Sequence, residues 1–213
     1  TREVGVFDEG DIPIFQAFAN AAAIALHKSH LHYENMHLDK TDHETGLEKY
    51  ESFTEKLRAS LDRAEKFEEN FAVAILDVDN FKALAKTYGF ETSKHFLKEL
   101  GDLVHRNLRS IDAAGRYGSD EFIILLAKSS LEHAVSFARK LSRTVEEHQF
   151  THHKIMSTIS IGVAAYPDNG KTTEKLLTAA KNALFEAQRA GRNKVFHYIT
   201  EWDAEEATLC EHN

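Results

Sequence analysis

The chain has 213 residues, 42% of them hydrophobic, and carries a formal net charge of −8. That size and apolar content support one sizeable domain, with or without an appendage. The negative charge excludes a nucleic-acid polymer as natural partner, because phosphate backbones are bound by basic surfaces, whereas small phosphates held through a metal ion stay compatible.

Residues 1–10 read as a loop, and Asp11 followed by Pro13 is a helix start. From there to about Lys40 the pattern predicts one long helix, with Phe15, Ala19, Ala22, Leu26, Tyr33 and Met36 close to one seam and Ser29 interrupting it. Such a helix either packs on its own domain or forms one strand of a parallel coiled-coil stalk that makes a homodimer. The uncharged stretch 12–26 is shorter than the roughly 20 residues of a membrane span, so neither a membrane segment nor a signal peptide is expected here. The first residue is not Met, and the chain reads as part of something longer. His27, His30, His32, His37 and His43 crowd the second half of the helix. His27 and His30 are one turn apart, but no Cys or paired carboxylate completes a metal set, so solvated helix faces are expected.

From Asp42 to about Ile199 the pattern predicts a second unit. Helices are expected over 48–67, over 81–88 (closed by Gly89), and over 92–108, 131–148 and 173–190, the last ended by Gly191. Strands are expected over 71–76, 158–165 and 194–199, with a hairpin around Gly118-Ser119. The tail 200–213 is acidic and holds Trp202 and the single cysteine, Cys210, which excludes an internal disulfide and suits a reducing cytoplasm.

Arg116-Tyr117-Gly118-Ser119-Asp120-Glu121-Phe122, followed by the apolar run 123–127, reads as a strand, a tight turn and a buried return strand. The turn lifts Asp120 and Glu121 out of a sheet, which suits holding a divalent cation against a phosphate. A second acidic pair, Asp77 and Asp79, ends the strand over 71–76 and is the expected partner. This stretch resembles the signature turn of the GGDEF family, the diguanylate cyclases, with Ser119 in place of the second glycine. The order of elements resembles an elaborated ferredoxin-like βαββαβ palm of the nucleotide-cyclase type, an α/β (α+β) fold. Residues 7–35 also resemble the last helix of a GAF sensor domain, on Asp11, Phe18-Ala19 and Ala23-Ile24-Ala25. The expected organisation is therefore a signalling stalk over 1–41, a GGDEF domain over 42–199 and an acidic tail.

The resemblance implies a metal, Mg²⁺ or Mn²⁺, on Asp77, the Val78 carbonyl and Asp120, with Glu121 beside the reacting phosphate. It assigns nucleotide and phosphate contacts to Phe81, Lys82 and Arg192. Arg109-Ser110-Ile111-Asp112 is similar to the family's Arg-x-x-Asp inhibitory site for the product cyclic di-GMP, and Arg139 is a candidate further arm. A guanidinium forks onto guanine O6 and N7, and a carboxylate accepts from guanine N1–H and N2–H. Departures cluster around the substrate. Where family members read guanine with Asn and Asp, this chain has Ala85 and Lys94; Gln188 replaces a phosphate-contacting Lys, and Lys49-Tyr50 replaces Asn-Arg after Asp42, Thr45, Gly46 and Leu47. Lys94 is donor-only and could instead meet an acceptor such as adenine N1. The resemblance thus implies a cyclic di-GMP receptor with weak or no synthesis. The alternative is an active cyclase that converts two GTP (or another NTP) to a cyclic dinucleotide and two pyrophosphates across a dimer.

Overall fold

The computed structural model describes residues 12–38 and 40–198, with the backbone alone over 29–38. The loop over 1–10, the side chains of His30, His32, Tyr33, Met36 and His37, and the tail with Trp202 and Cys210 lie outside the described residues. The chain divides into two units at Lys40 and Thr41. The first contains one continuous helix, α1 (Ile12–Leu38), whose described side chains, over 12–28, are all exposed. No helix among the described residues is long and apolar enough to cross a membrane.

The second unit is a sheet between two helical layers. Its elements are α2 (Tyr50–Phe67), β1 (Phe71–Val78), α3 (Phe81–Tyr88), α4 (Phe90–Asn107), β2 (Ala113–Arg116), β3 (Glu121–Leu126), α5 (Leu131–Glu147), β4 (Ile159–Tyr166), α6 (Thr173–Arg189) and β5 (Val195–His197). The strand order is β2-β3-β1-β4-β5, antiparallel except for β4 with β5. The first four strands reproduce the expected βαββαβ arrangement, and β5 adds an edge.

Strand β1 is a continuous apolar run from Phe71 to Leu76 because both of its faces are covered there. Ala72, Ala74, Leu76 and Val78 feed one core with Phe96, Leu100, Ala138 and Leu141 of α4 and α5. Phe71, Val73 and Ile75 feed the other with Phe53 and Leu57 of α2 and Leu184 of α6. Helix α6 sits directly on β4 at Gly162, where a Cβ would lie 2.1 Å from the Ala180 carbonyl oxygen and 2.2 Å from the Leu184 nitrogen. Both obstacles are helix backbone, so Gly162→Ala is expected to lower stability by about 3 kcal/mol, read as a fall in the urea midpoint.

Two helix starts differ from the sequence pattern for identifiable reasons. Helix α2 starts at Tyr50 because Glu48 is used as sheet edge: its N–H donates to the Ala114 carbonyl at 3.0 Å and its carbonyl accepts from Arg116 N at 2.8 Å. Helix α4 starts at Phe90 because Gly89, at φ +83°, closes α3 and opens α4 with no spacer. Its N–H donates to the Ala85 carbonyl, and its own carbonyl accepts from Ser93 N.

Candidate functional site

Pairing of β1 with β3 sets Asp77 opposite Glu121, and the Val78 N–H donates to the Asp120 carbonyl at 3.1 Å. Side chains at odd positions of β1 face α6, and there Gln188 Nε2 donates to Asp77 Oδ1 at 2.9 Å. Burial first, then the charge of Asp120, and less so Glu121 and Asp79, push the Asp77 carboxyl up to about 6, against the pull of the Gln188 bond. A half-buried carboxylate crowded by others is an arrangement that a divalent cation relieves, and an all-oxygen donor set suits Mg²⁺. Among the described residues no three His, Cys, Asp or Glu side chains converge to hold a metal by themselves. The carboxylates therefore fit an ion completed by phosphate oxygens and water, the usual situation for Mg²⁺.

The raised Asp77 value has a stability consequence. Its folded value lies above the reference of 3.8, so the ionised form costs stability at neutral pH, and the cost fades as pH falls through about 6. Asp77→Asn keeps an acceptor for Gln188 and removes the charge. Urea unfolding in the presence of a chelator is expected to show the variant more stable by about 1–2 kcal/mol at pH 7.5, with the difference closing towards pH 4.

The expected acidic pair of Asp77 and Asp79 is split by the fold. Asp79 is buried and accepts from Thr158 Oγ1 at 2.6 Å, Ser160 Oγ at 2.7 Å and Asn193 N at 2.9 Å. These bonds commit Asp79 to structure: it latches the turn Gly191-Arg192-Asn193, whose φ values are +111°, +63° and +48°. The latch brings the exposed Arg192 back to β1. Lys82 is exposed in the first turn of α3, while Phe81 is half-buried against Phe96, ring centroids 6.1 Å apart.

Arg116 braces the signature turn, a role that the sequence reading missed. Its Nε donates to the Gly118 carbonyl at 3.0 Å and its Nη2 to the Ser119 carbonyl at 2.9 Å, while Nη1 reaches Asp42 at 3.1 Å and Glu44 at 2.6 Å. Burial works against the Asp42 charge, but hydrogen bonds from Thr45 and Arg116 outweigh it and hold the carboxyl below its usual value. Glu121 folds over the turn, so that a Cβ on Gly118 would lie 2.6 Å from Glu121 Oε2. Exposed Ser119 donates from its hydroxyl to Asp120 Oδ1. At the positions where the resemblance expects guanine contacts, Lys94 Nζ lies 3.7 Å from Glu44 Oε1 and 4.3 Å from the Phe90 ring centroid, and Ala85 is half-buried on α3.

Arg109 and Asp112 meet at the other end of β3, ~20 Å from Glu121 at the usual rise of an extended strand. Asp112 Oδ2 accepts from Arg109 N and Nε, both at 3.0 Å, and Oδ1 accepts from Arg109 Nη2 at 3.0 Å and Ala127 N at 3.1 Å. The Asp112 side chain is 1% exposed and the Arg109 side chain 53%. The carboxylate is thus consumed in fixing the guanidinium, which also donates to the Ala127 carbonyl at 2.8 Å. The Asp112 bonds hold the Arg109 proton more tightly still. An adjoining cavity of about 350 Å³ is lined by Arg109, Ser110, His105, Lys56 and Glu48. Arg139 lines a different cavity, on the outer face of α5.

A family model described as "Diguanylate cyclase, GGDEF domain" matches residues 39–194. Diguanylate cyclase A of Treponema denticola is 32% identical over 195 residues, covering 89% of this chain and 51% of the relative. The chain spans about half or less of the length of the curated relatives it matches. Among solved structures, the diguanylate cyclase SiaD of Pseudomonas aeruginosa, crystallised with its activator SiaC, superposes with a TM-score of 0.70 at 26% identity, covering 89% of this chain and 75% of that one. The coiled coil and GGDEF domain of DgcB from Caulobacter crescentus, in complex with c-di-GMP, superposes with a TM-score of 0.71 and covers 86% of this chain and 98% of that one. At 22% identity that likeness shows the fold alone.

Proposed function

The chain belongs to the GGDEF family of diguanylate cyclase domains, and on that premise we propose that it is a cyclic di-GMP receptor working through Arg109, with little or no synthesis of its own. The observation that carries this is a contrast between the two ends of β3. The Arg109–Asp112 clamp is assembled, with its guanidinium fixed and exposed. The guanine-reading corner instead presents Ala85 and a lysine already engaged with Glu44 and Phe90. Because the two sites are ~20 Å apart, one can decay while the other is kept. Arg109 offers its remaining N–H groups to guanine O6 and N7, and Asp112 acts as its positioning residue.

One observation favours the second role, an active cyclase: Asp77, Asp120 and Glu121 crowd one another at the sheet end. There Asp77, the Val78 carbonyl and Asp120 would hold Mg²⁺ or Mn²⁺, which when bound neutralises phosphate charge. Lys82 and Arg192 would orient the phosphates, and Glu121 would stand beside the reacting one. In both roles α1 serves as a signalling stalk at the end of a GAF-like sensor and as the dimer contact, since its exposed Ile14, Phe18, Ile24 and Leu26 want cover. A cytoplasmic location suits either role.

The test is turnover. Purified protein is incubated with Mg²⁺ and GTP, ATP or both, and the products are separated by chromatography. No cyclic dinucleotide is expected; one that forms here and vanishes in Asp120→Ala would sink the receptor-only role.

A further inference from the structure

Helix α5 turns a basic, half-apolar groove towards solvent. A cavity of about 550 Å³ runs along it, floored by Leu131 and Val135 and flanked by Arg139, Lys140, Arg143 and the His197 ring of β5. The side chains of Arg139, Lys140 and Arg143 form no hydrogen bond or ion pair with any described residue, although Glu132 and Glu147 line the same cavity. Other cations of this unit are held by carboxylates, among them Arg109, Arg116, Lys98 and Lys128. Three unpaired cations sharing one groove with an apolar floor mark a surface complementary to an acidic, partly apolar segment.

The chain itself contains such a segment. Residues 200–213 hold Glu201, Asp203, Glu205, Glu206 and Glu211, no Lys or Arg, and the apolar Trp202 and Leu209. They follow β5, whose last residue, His197, lines the groove. Tyr198 still donates its N–H to the Val163 carbonyl at 3.0 Å, so the chain leaves the sheet beside the groove. Extended backbone covers about 3.3–3.6 Å per residue, which lets residues 201–206 reach positions one to two helical turns along α5.

We propose that the acidic segment 200–213 docks in the α5 groove, with its carboxylates on Arg139, Lys140 and Arg143 and Trp202 against Leu131 and Val135. The docked segment covers the β5 edge. Docking by surface charge is salt-sensitive, because exposed ion pairs are screened.

Trp202 is the chain's only tryptophan, so its fluorescence reports on this segment alone. In low salt the whole chain is expected to show blue-shifted emission and iodide quenching well below that of the free 199–213 peptide. Arg139→Glu with Arg143→Glu is expected to return both to the peptide values, while Arg139→Lys with Arg143→Lys keeps the native signal. Both pairs sit on the exposed face of α5, and far-UV circular dichroism confirms that they fold. Peptide-like emission and quenching in the native protein, or a native signal unmoved by the charge reversal, overturns the proposal. Cyclic di-GMP titration of the same samples reports separately on the Arg109 site.

Discussion

Replacing Arg109 with alanine is expected to weaken cyclic di-GMP binding by about 30- to 1000-fold, the equivalent of about 2–4 kcal/mol. The guanidinium is the exposed half of the clamp, and with Nε and Nη2 committed to Asp112 and Ala127 it is the two N–H groups of Nη1 that are left to donate to the O6 and N7 acceptors of a guanine edge. Its loss removes charge-assisted hydrogen bonds to the guanine edge. Asp112→Asn separates positioning from contact. The amide cannot accept four hydrogen bonds as the carboxylate does, so Arg109 loosens and affinity falls less far than in Arg109→Ala. Calorimetric titration measures both variants, with thermal unfolding as the check on folding. Unchanged affinity in Arg109→Ala would place the ligand elsewhere.

The second large effect is a gain. Ala85→Asn combined with Lys94→Asp is expected to raise GTP affinity by about 30- to 1000-fold, because it restores an amide and a carboxylate that guanine N1–H and N2–H can meet. Lys94 is spent on Glu44 and on the face of Phe90, so its removal also opens that corner. The new carboxylate adds a negative charge near Glu44, which Arg116 at 2.6 Å partly offsets. Equilibrium binding of GTP with Mg²⁺ reads the effect directly. No gain in the double variant would mean that Ala85 and Lys94 are not what limits guanine recognition.

The fold was largely legible because its elements announce themselves locally. The run 71–76 has no polar residue to spare, and Gly89 and Gly191 stop helices where the pattern places them. The site was legible only in part, because adjacency in sequence misled at one point and distance hid the rest. Asp77 and Asp79 read as twins, yet a strand that ends between them leaves one at the acidic edge and delivers the other to Thr158, Ser160 and Asn193. Arg116 gave no signal of its role, since its partners Asp42 and Glu44 lie more than seventy residues upstream. Gln188 read as a lost phosphate contact, and its bond to Asp77 Oδ1 is a long-range pairing that no local pattern carries. The Asp112 side chain was expected to face the ligand, whereas four hydrogen bonds turn it inward to hold Arg109.

The most direct measurement is a calorimetric titration of cyclic di-GMP into the whole chain, stripped beforehand of any bound nucleotide. A receptor working through Arg109 predicts saturable binding at micromolar concentrations or below that is lost in Arg109→Ala. Absence of binding to the folded wild-type chain, or equal binding by the two proteins, would contradict it.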